Sequence, residues 1–307
     1  METFINLIAL IASLGVLVFL GEKLINAALR LAKAFGVSPA VIGLTVLAYG
    51  TSLPEFAVSS IAAVKQYSDL SVSNIIGSNI YNIAFILGIA SNISTISIKE
   101  SILAKRDGLV MLLAAIILCL LAYIGTIGRL TGMAMTGLIA FYTYSIIRYD
   151  RVHSNIEPDK NLSKIKEASV VAVLLAGVLI SGNFTVDYAV KLAHAAGVTE
   201  WLIGATIVAA GTSLPETVVS IIAARKGEFA ISIGNIVGSN IFNILWILGF
   251  ASILHPLTIN FSKIYTDLIF LMIITILFYA GMCKGRLTKG EGMLYLALYL
   301  GYIWYLL

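Results

Sequence analysis

The sequence predicts an all-α polytopic membrane protein with ten transmembrane helices in two inverted-topology five-helix repeats. Three observations carry this reading. Of 307 residues, 59% are hydrophobic and only 12% charged, and the apolar runs reach about 20 residues or more, the length that crosses a bilayer core. Basic residues crowd into alternate connections. The stretch 36–88 recurs as 197–249 without a gap.

The spans are expected at approximately 3–34, 38–64, 71–95, 107–126, 130–148, 167–193, 200–224, 230–255, 264–282 and 290–307. The first, apolar from Phe4, lacks a basic leader and a small-residue cleavage site and runs too long for a signal peptide, so it reads as a retained helix. Two spans carry a mid-membrane proline, Pro54 and Pro215, where the helix should kink or unwind. The polar stretch 149–166, with Pro158 and mixed charge, reads as a loop linking residues 1–148, the first repeat, to 167–307, the second.

With these spans, fifteen of the twenty Lys and Arg residues, among them Arg30, Lys99, Arg151, Lys166, Arg225 and Arg286, fall on one side. The other side holds four: Lys65, Arg129, Lys191 and Lys263. The basic side is then cytoplasmic, the central loop lies inside, and both termini lie outside the cell membrane. Basicity here reports topology in a lipid bilayer; no nucleic acid and no protein partner is implied. An odd number of helices per repeat makes the second copy enter from the opposite side, the inverted arrangement of many transporters.

The repeat is densest where the chemistry lies. GTSLPE occupies Gly50–Glu55 and again Gly211–Glu216, and at the same offset of 161 Asn74-Ile75, Gly77-Ser78-Asn79-Ile80 and Asn82-Ile83 match Asn235-Ile236, Gly238-Ser239-Asn240-Ile241 and Asn243-Ile244. A weaker match follows, GRLT at Gly128–Thr131 and Gly285–Thr288, with the offset slipped to 157. Glu55 and Glu216 are the ionisable residues of their apolar stretches, and a carboxylate at that depth costs roughly 2.5–3.5 kcal/mol on insertion scales. A cation bound between them offsets it. Each proline also leaves the carbonyl of Gly50 or Gly211 without its i+4 partner, and such oxygens are hard cation ligands.

Helical spacing gathers side-chain oxygens beside them. Ser52, Glu55 and Ser59 share a face, as do Ser213, Glu216 and Ser220; Asn74, Ser78 and Asn82 form the facing stripe, as do Asn235, Ser239 and Asn243. Oxygen donors with two carboxylates suit Ca²⁺ or Na⁺ better than Mg²⁺, which demands rigid octahedral geometry, and no His or Cys stands near for zinc, copper or iron. Two glutamates balance one divalent ion. Cys119 and Cys283 match no metal-ligand spacing and read as small buried hydrophobes. Trp201 and Trp304 read as interfacial belt residues, and His153, His194 and His255 fall in loops or near span ends.

Duplicated GTSLPE followed by Gly-Ser-Asn-Ile-x-Asn resembles the α-repeats of the sodium/calcium exchanger family, and the size and short central loop are similar to its compact prokaryotic members. The resemblance implies an antiporter exchanging Na⁺ for Ca²⁺ by alternating access, without cofactor, with ions held mid-membrane between helices 2, 3, 7 and 8. It implies Glu55 and Glu216 as the Ca²⁺ carboxylates, with the backbone carbonyls of Thr51 and Thr212. For Na⁺ it implies the Ala48 and Ala209 carbonyls, the hydroxyls of Ser52, Ser78, Ser213 and Ser239, and the pair Asn82 and Asn243. The potassium-dependent branch and some prokaryotic members carry Asp where this chain has Asn243.

A proton/calcium exchanger of the same superfamily is the nearest alternative, with Glu55 and Glu216 carrying H⁺; its family core is Gly-Asn-x-x-Glu rather than GTSLPE. A passive cation channel is a third reading, and broken helices in inverted repeats fit a transporter better. An enzyme is not expected, since mid-span positions carry no Ser-His, paired-Asp or zinc-protease pattern.

Overall fold

A computed structural model describes residues 2–98, 103–153, 156–198 and 209–306. Helix α1 (Glu2–Phe35) is followed by a broken span made of α2 (Pro39–Ile42), a π-helical turn (Gly43–Leu47), α3 (Ala48–Thr51) and α4 (Leu53–Val64). The two parts of that span meet at Ser52 with a bend of 48°, where Pro54 removes a backbone donor. Helix α5 (Ser68–Ile80) widens into a π-helical turn (Tyr81–Ile86) and continues as α6 (Leu87–Ile93), ahead of strand β1 (Ile96–Ser97). Then come α7 (Gly108–Ile124), β2 (Thr126–Ile127), α8 (Arg129–His153) and α9 (Lys164–Ala195).

The rest follows the same order. Short α10 (Ala209–Thr212) and α11 (Leu214–Arg225) meet at Ser213, and α12 (Phe229–Phe242) widens into a π-helical turn (Asn243–Leu248) before α13 (Gly249–Leu254). Strand β3 (Leu257–Thr258), α14 (Phe261–Cys283), β4 (Arg286–Leu287) and α15 (Lys289–Leu306) complete the described chain.

Seven of the described helices are long and apolar enough to cross a bilayer, and the bent pair 39–51 and 53–64 makes an eighth. The expected span 200–224 begins in residues outside those described, as do Trp201 and the matched pair Ile203-Gly204. The span Ser68–Ile93 has 72% of its most apolar window buried and Phe229–Leu254 has 83%, against 17% to 39% for the other five, so these two form the centre. Helices α1 and α9 pack along each other at one flank, joined to 37–47 and 214–231 by an apolar cluster of their own.

Backbones touch where the centre meets the broken span. A Cβ on Gly43 would stand 2.7 Å from the Ile231 carbonyl oxygen, and one on Gly238 would stand 2.5 Å from that of Leu44 and 2.7 Å from the Ala48 Cβ. Glycine at these positions lets α12 lie against the segment that leads into Ser52.

Two short antiparallel pairings tie the ends of the bundle. Strand β1 pairs with β4, Ile96 opposite Leu287, and β2 pairs with β3, Thr126 opposite Thr258. Each joins two loops that the charge pattern puts on one side, those of Lys99 and Arg286 in the first, those of Arg129 and Lys263 in the second.

Three expectations are corrected. The two GRLT segments are not equivalent: Gly285 (φ 81°) closes α14 and its counterpart is Gly125 (φ 88°), which closes α7, each preceding a strand. A left-handed residue at a helix C-terminus is the feature that glycine serves, so the correct offset there is 160. The central linker is shorter than 149–166 and docked: α8 runs to His153 and α9 starts at Lys164. Pro158 seats against Gly36, and the Asp159 N–H donates to the Lys33 carbonyl at 3.0 Å. Cys119 is half-buried, whereas Cys283 is exposed on α14 and is not a core residue.

Candidate cation site

Proline at the second position of α4 and of α11 starts each helix afresh, because its ring suits a first turn and forbids continuation of the preceding one. Ser52 and Ser213 sit at the breaks, with Phe56 N–H donating to the Ser52 carbonyl (3.0 Å) and Thr217 N–H to that of Ser213 (3.1 Å). One turn on, Glu55 and Glu216 point inward, each only 1% exposed.

The two motif copies are bonded crosswise. Ser213 Oγ donates to Glu55 Oε1 at 2.7 Å, and Ser52 Oγ donates to Glu216 Oε1 at 2.9 Å. Thr51 stands beside Glu216 and Thr212 beside Glu55. The Thr51 hydroxyl donates back to the Leu47 carbonyl (3.0 Å), and the Ala48 carbonyl accepts the Ser52 N–H (3.2 Å). Ala209 is the first residue of α10, at the position matching Ala48.

The facing helices converge on the same place. Tyr81 lies within 3.4 Å of the Thr217 hydroxyl, bringing the π-helical turn after α5 to α11, and Thr51 lies 3.5 Å from Asn235, bringing α3 to α12. Ser78, Ser239, Asn82 and Asn243 on these central helices are all buried. Glu55 Oε2, Glu216 Oε2, Asn82 Oδ1, Asn243 Oδ1 and Ser239 Oγ are buried without a hydrogen-bond partner among the described residues. Buried polar atoms are nearly always satisfied, so these five unpartnered oxygens are candidate donors for a hard cation. The buried hydroxyls of Ser60, Ser71, Ser91 and Thr136, and Asn240 Oδ1, are also without a hydrogen-bond partner among the described residues.

The expected stripes contract. Asn74 Nδ2 donates to Ser59 Oγ (2.9 Å) and to the Glu55 carbonyl (3.4 Å), and Asn235 Nδ2 donates to Ser220 Oγ (3.0 Å). These outer members hold neighbouring helices together.

Sequence reasoning also passed over two sets of residues. Asn79 bridges the central helices, donating to the Asn240 carbonyl and accepting from Asn243, although it lies off the i, i+4, i+8 stripe; its signal was identity within the repeated Gly-Ser-Asn. Asp107 accepts from Tyr142 (2.9 Å) and Asp267 from Tyr302 (3.1 Å), pairs related by the offset of 160 that the misplaced GRLT register hid.

A family model described as sodium/calcium exchanger protein matches residues 5–148 and 166–307. The chain belongs to the sodium/calcium exchanger family. It is 30% identical over 342 residues to the sodium/calcium exchanger MaX1 of Methanosarcina acetivorans, covering 97% of each chain. It is 33% identical over 297 residues to the inner membrane protein YrbG of Escherichia coli, covering 92% of this chain and 90% of that one. The solved structure of the sodium-calcium exchanger NCX_Mj soaked with 2.5 mM Na⁺ and 10 mM Sr²⁺ superposes with a TM-score of 0.87 at 30% identity, covering 98% of each chain. This exchanger is therefore a helical membrane transporter of compact, prokaryotic size.

Proposed function

We propose that this exchanger carries Ca²⁺ out against Na⁺ by alternating access, with both ions using one oxygen cage between the second, third, seventh and eighth of ten spans. The carrying observation is the crosswise pair Ser213–Glu55 and Ser52–Glu216, which holds two buried carboxylates together, each with its Oε2 unpartnered among the described residues. Glu55 and Glu216 neutralise one Ca²⁺, with the Thr51 and Thr212 carbonyls adding neutral oxygens. The Ala48 and Ala209 carbonyls, Ser52, Ser78, Ser213, Ser239, Asn82 and Asn243 serve Na⁺, and the overlap of the two sets makes the ions compete.

In this reading the two repeats are inverted five-helix halves joined by the docked segment between α8 and α9. The loop is cytoplasmic and both termini face outward across the cell membrane. The pairing of β1 with β4 and β2 with β3, each within one side of the charge pattern, supports that arrangement. The test is Ca²⁺ uptake by proteoliposomes under imposed gradients. Uptake driven by outward Na⁺ at matched pH is expected; uptake driven by a pH gradient and indifferent to Na⁺ assigns the carboxylates to proton exchange instead.

The serines divide the ions. Ser52 and Ser213 also donate to the carboxylates, so Ser78 and Ser239 give the cleaner test. Ser78→Ala or Ser239→Ala is expected to raise the Na⁺ needed for half-maximal exchange several-fold, about 1 kcal/mol for one lost polar contact. Ca²⁺ half-saturation should stay in place. A strong loss of Ca²⁺ affinity with Na⁺ dependence unchanged would refute this division.

Asn243 bears on a third ion. Its amide adds no charge, so exchange is expected to be indifferent to K⁺. Asn243→Asp would place a third carboxylate near Glu55 and Glu216, and a proton that relieves their repulsion competes with cations. That variant should lose activity on mild acidification more readily than wild type. Flux against pH, with and without K⁺, decides: a wild-type K⁺ requirement, or identical pH profiles, would exclude Asn243 from the lining.

A further inference from the structure

Asn79 is 1% exposed at the end of α5, and both ends of its carboxamide are used. Its Nδ2 crosses to the facing helix and donates to the Asn240 carbonyl at 3.3 Å. Its Oδ1 accepts from Asn243 Nδ2 at 2.9 Å. The backbone helps: at the start of the π-helical turn Asn243–Leu248 the Asn243 N–H closes back on the Asn240 and Ser239 carbonyls, and the Asn240 oxygen still has a lone pair for Asn79.

This arrangement determines which way Asn243 faces. A carboxamide has one donor end and one acceptor end, and the two orientations present opposite dipoles to a bound ion. With one N–H anchored on the Asn240 carbonyl, the Asn79 carboxamide is held so that its oxygen is the end that meets Asn243. Asn243 must answer with its nitrogen. Its Oδ1 then lies on the other side of the amide, buried and without a hydrogen-bond partner among the described residues.

The matching position is not held in this way. Asn240 Nδ2 donates to the Ile236 carbonyl of its own helix (2.7 Å), and neither Asn240 Oδ1 nor Asn82 Oδ1 has a partner among the described residues. The Asn79 bridge is thus not a packing contact repeated in both halves; it acts on one amide of the cage.

We propose that Asn79 is a positioning residue, which fixes the Asn243 side chain with its oxygen toward the cations and thereby sets the Na⁺ affinity of the site. This rests on the exchange reading above. Interhelical bonding alone is the competing explanation, since buried Asn commonly joins membrane helices. The two differ in coupling: a positioning role disappears once Asn243 has no amide to orient, whereas glue acts independently of it.

The experiment measures half-activating Na⁺ and half-saturating Ca²⁺ in proteoliposomes for wild type, Asn79→Ala, Asn243→Ala and the double variant. Asn79→Ala is expected to raise the Na⁺ requirement about two- to tenfold, the range for one lost buried hydrogen bond, with Ca²⁺ half-saturation unchanged. Asn243→Ala should raise it at least as much, and the double variant no further than Asn243→Ala. Should Asn79→Ala fail to yield monodisperse protein, Asn79→Ser goes through the same cycle under the same criterion. Additive effects, parallel loss of Na⁺ and Ca²⁺ affinity, or an unchanged Na⁺ requirement would overturn the positioning role. A wild-type protein without Na⁺-driven Ca²⁺ flux would refute the exchange reading itself, so the two failures are distinguishable.

Discussion

Glu55→Gln or Glu216→Gln is expected to abolish Ca²⁺ transport while leaving a folded protein. In the proposed cage the carboxylates supply the formal charge, and removing one partner of a buried charge pair costs about 3–5 kcal/mol, more than a hundredfold in affinity. Folding should survive because Gln keeps an oxygen to accept from Ser213 or Ser52. Its new NH₂ replaces Oε2, an atom with no donor to lose among the described residues. Thermal unfolding and size-exclusion profiles of the purified variants check the fold, and Ca²⁺ flux in proteoliposomes checks the function. Near-normal uptake by either variant would refute the paired-carboxylate assignment.

Gly238→Val should be almost as damaging through a different physical route. Even its Cβ would fall 2.5 Å from the Leu44 carbonyl oxygen and 2.7 Å from the Ala48 Cβ, and neither obstacle can rotate away as a flexible side chain would. Overpacking of this kind costs about 1–3 kcal/mol or more, and relief requires α12 to separate from the segment that carries Ala48 and Thr51. Exchange is expected to fall more than tenfold. Gly137→Ala is the control: a Cβ there meets no described atom within 4 Å, and its transport should match wild type. Equal activity of Gly238→Val and wild type would mean that the close crossing does not shape the site.

The parts of this site that were legible in the sequence share one property: they break a local rule. Glu in an apolar run and Pro in mid-span are each unfavourable alone, and their repetition at a fixed offset points to Glu55, Glu216, Ser52 and Ser213. Helical periodicity placed Ser78 and Asn82 on one stripe but treated every stripe member alike. It did not distinguish Asn74, which spends its amide on Ser59, from Asn82, whose oxygen is unpartnered among the described residues. That difference is a matter of which helix lies opposite, and π-helical widening at Tyr81–Ile86 and Asn243–Leu248 shifts the facing residues away from ideal 3.6-residue spacing. Asn79 was illegible for the same reason. The Asp107–Tyr142 and Asp267–Tyr302 pairs were present as an offset of 160, but the chance GRLT identity fixed the register elsewhere. A glycine with positive φ at a helix end carries more structural information than four matching letters.

Competition between the two ions for one cage is the centre of the functional reading, and equilibrium binding of radiolabelled Ca²⁺ to the purified protein across Na⁺ concentrations tests it most directly. Ca²⁺ should bind in Na⁺-free buffer, its apparent dissociation constant should climb with Na⁺ until binding is lost, and Glu55→Gln should show no binding at any Na⁺ concentration. Ca²⁺ that stays bound at saturating Na⁺, or that binds Glu55→Gln as it binds wild type, would contradict a shared site built on Glu55 and Glu216.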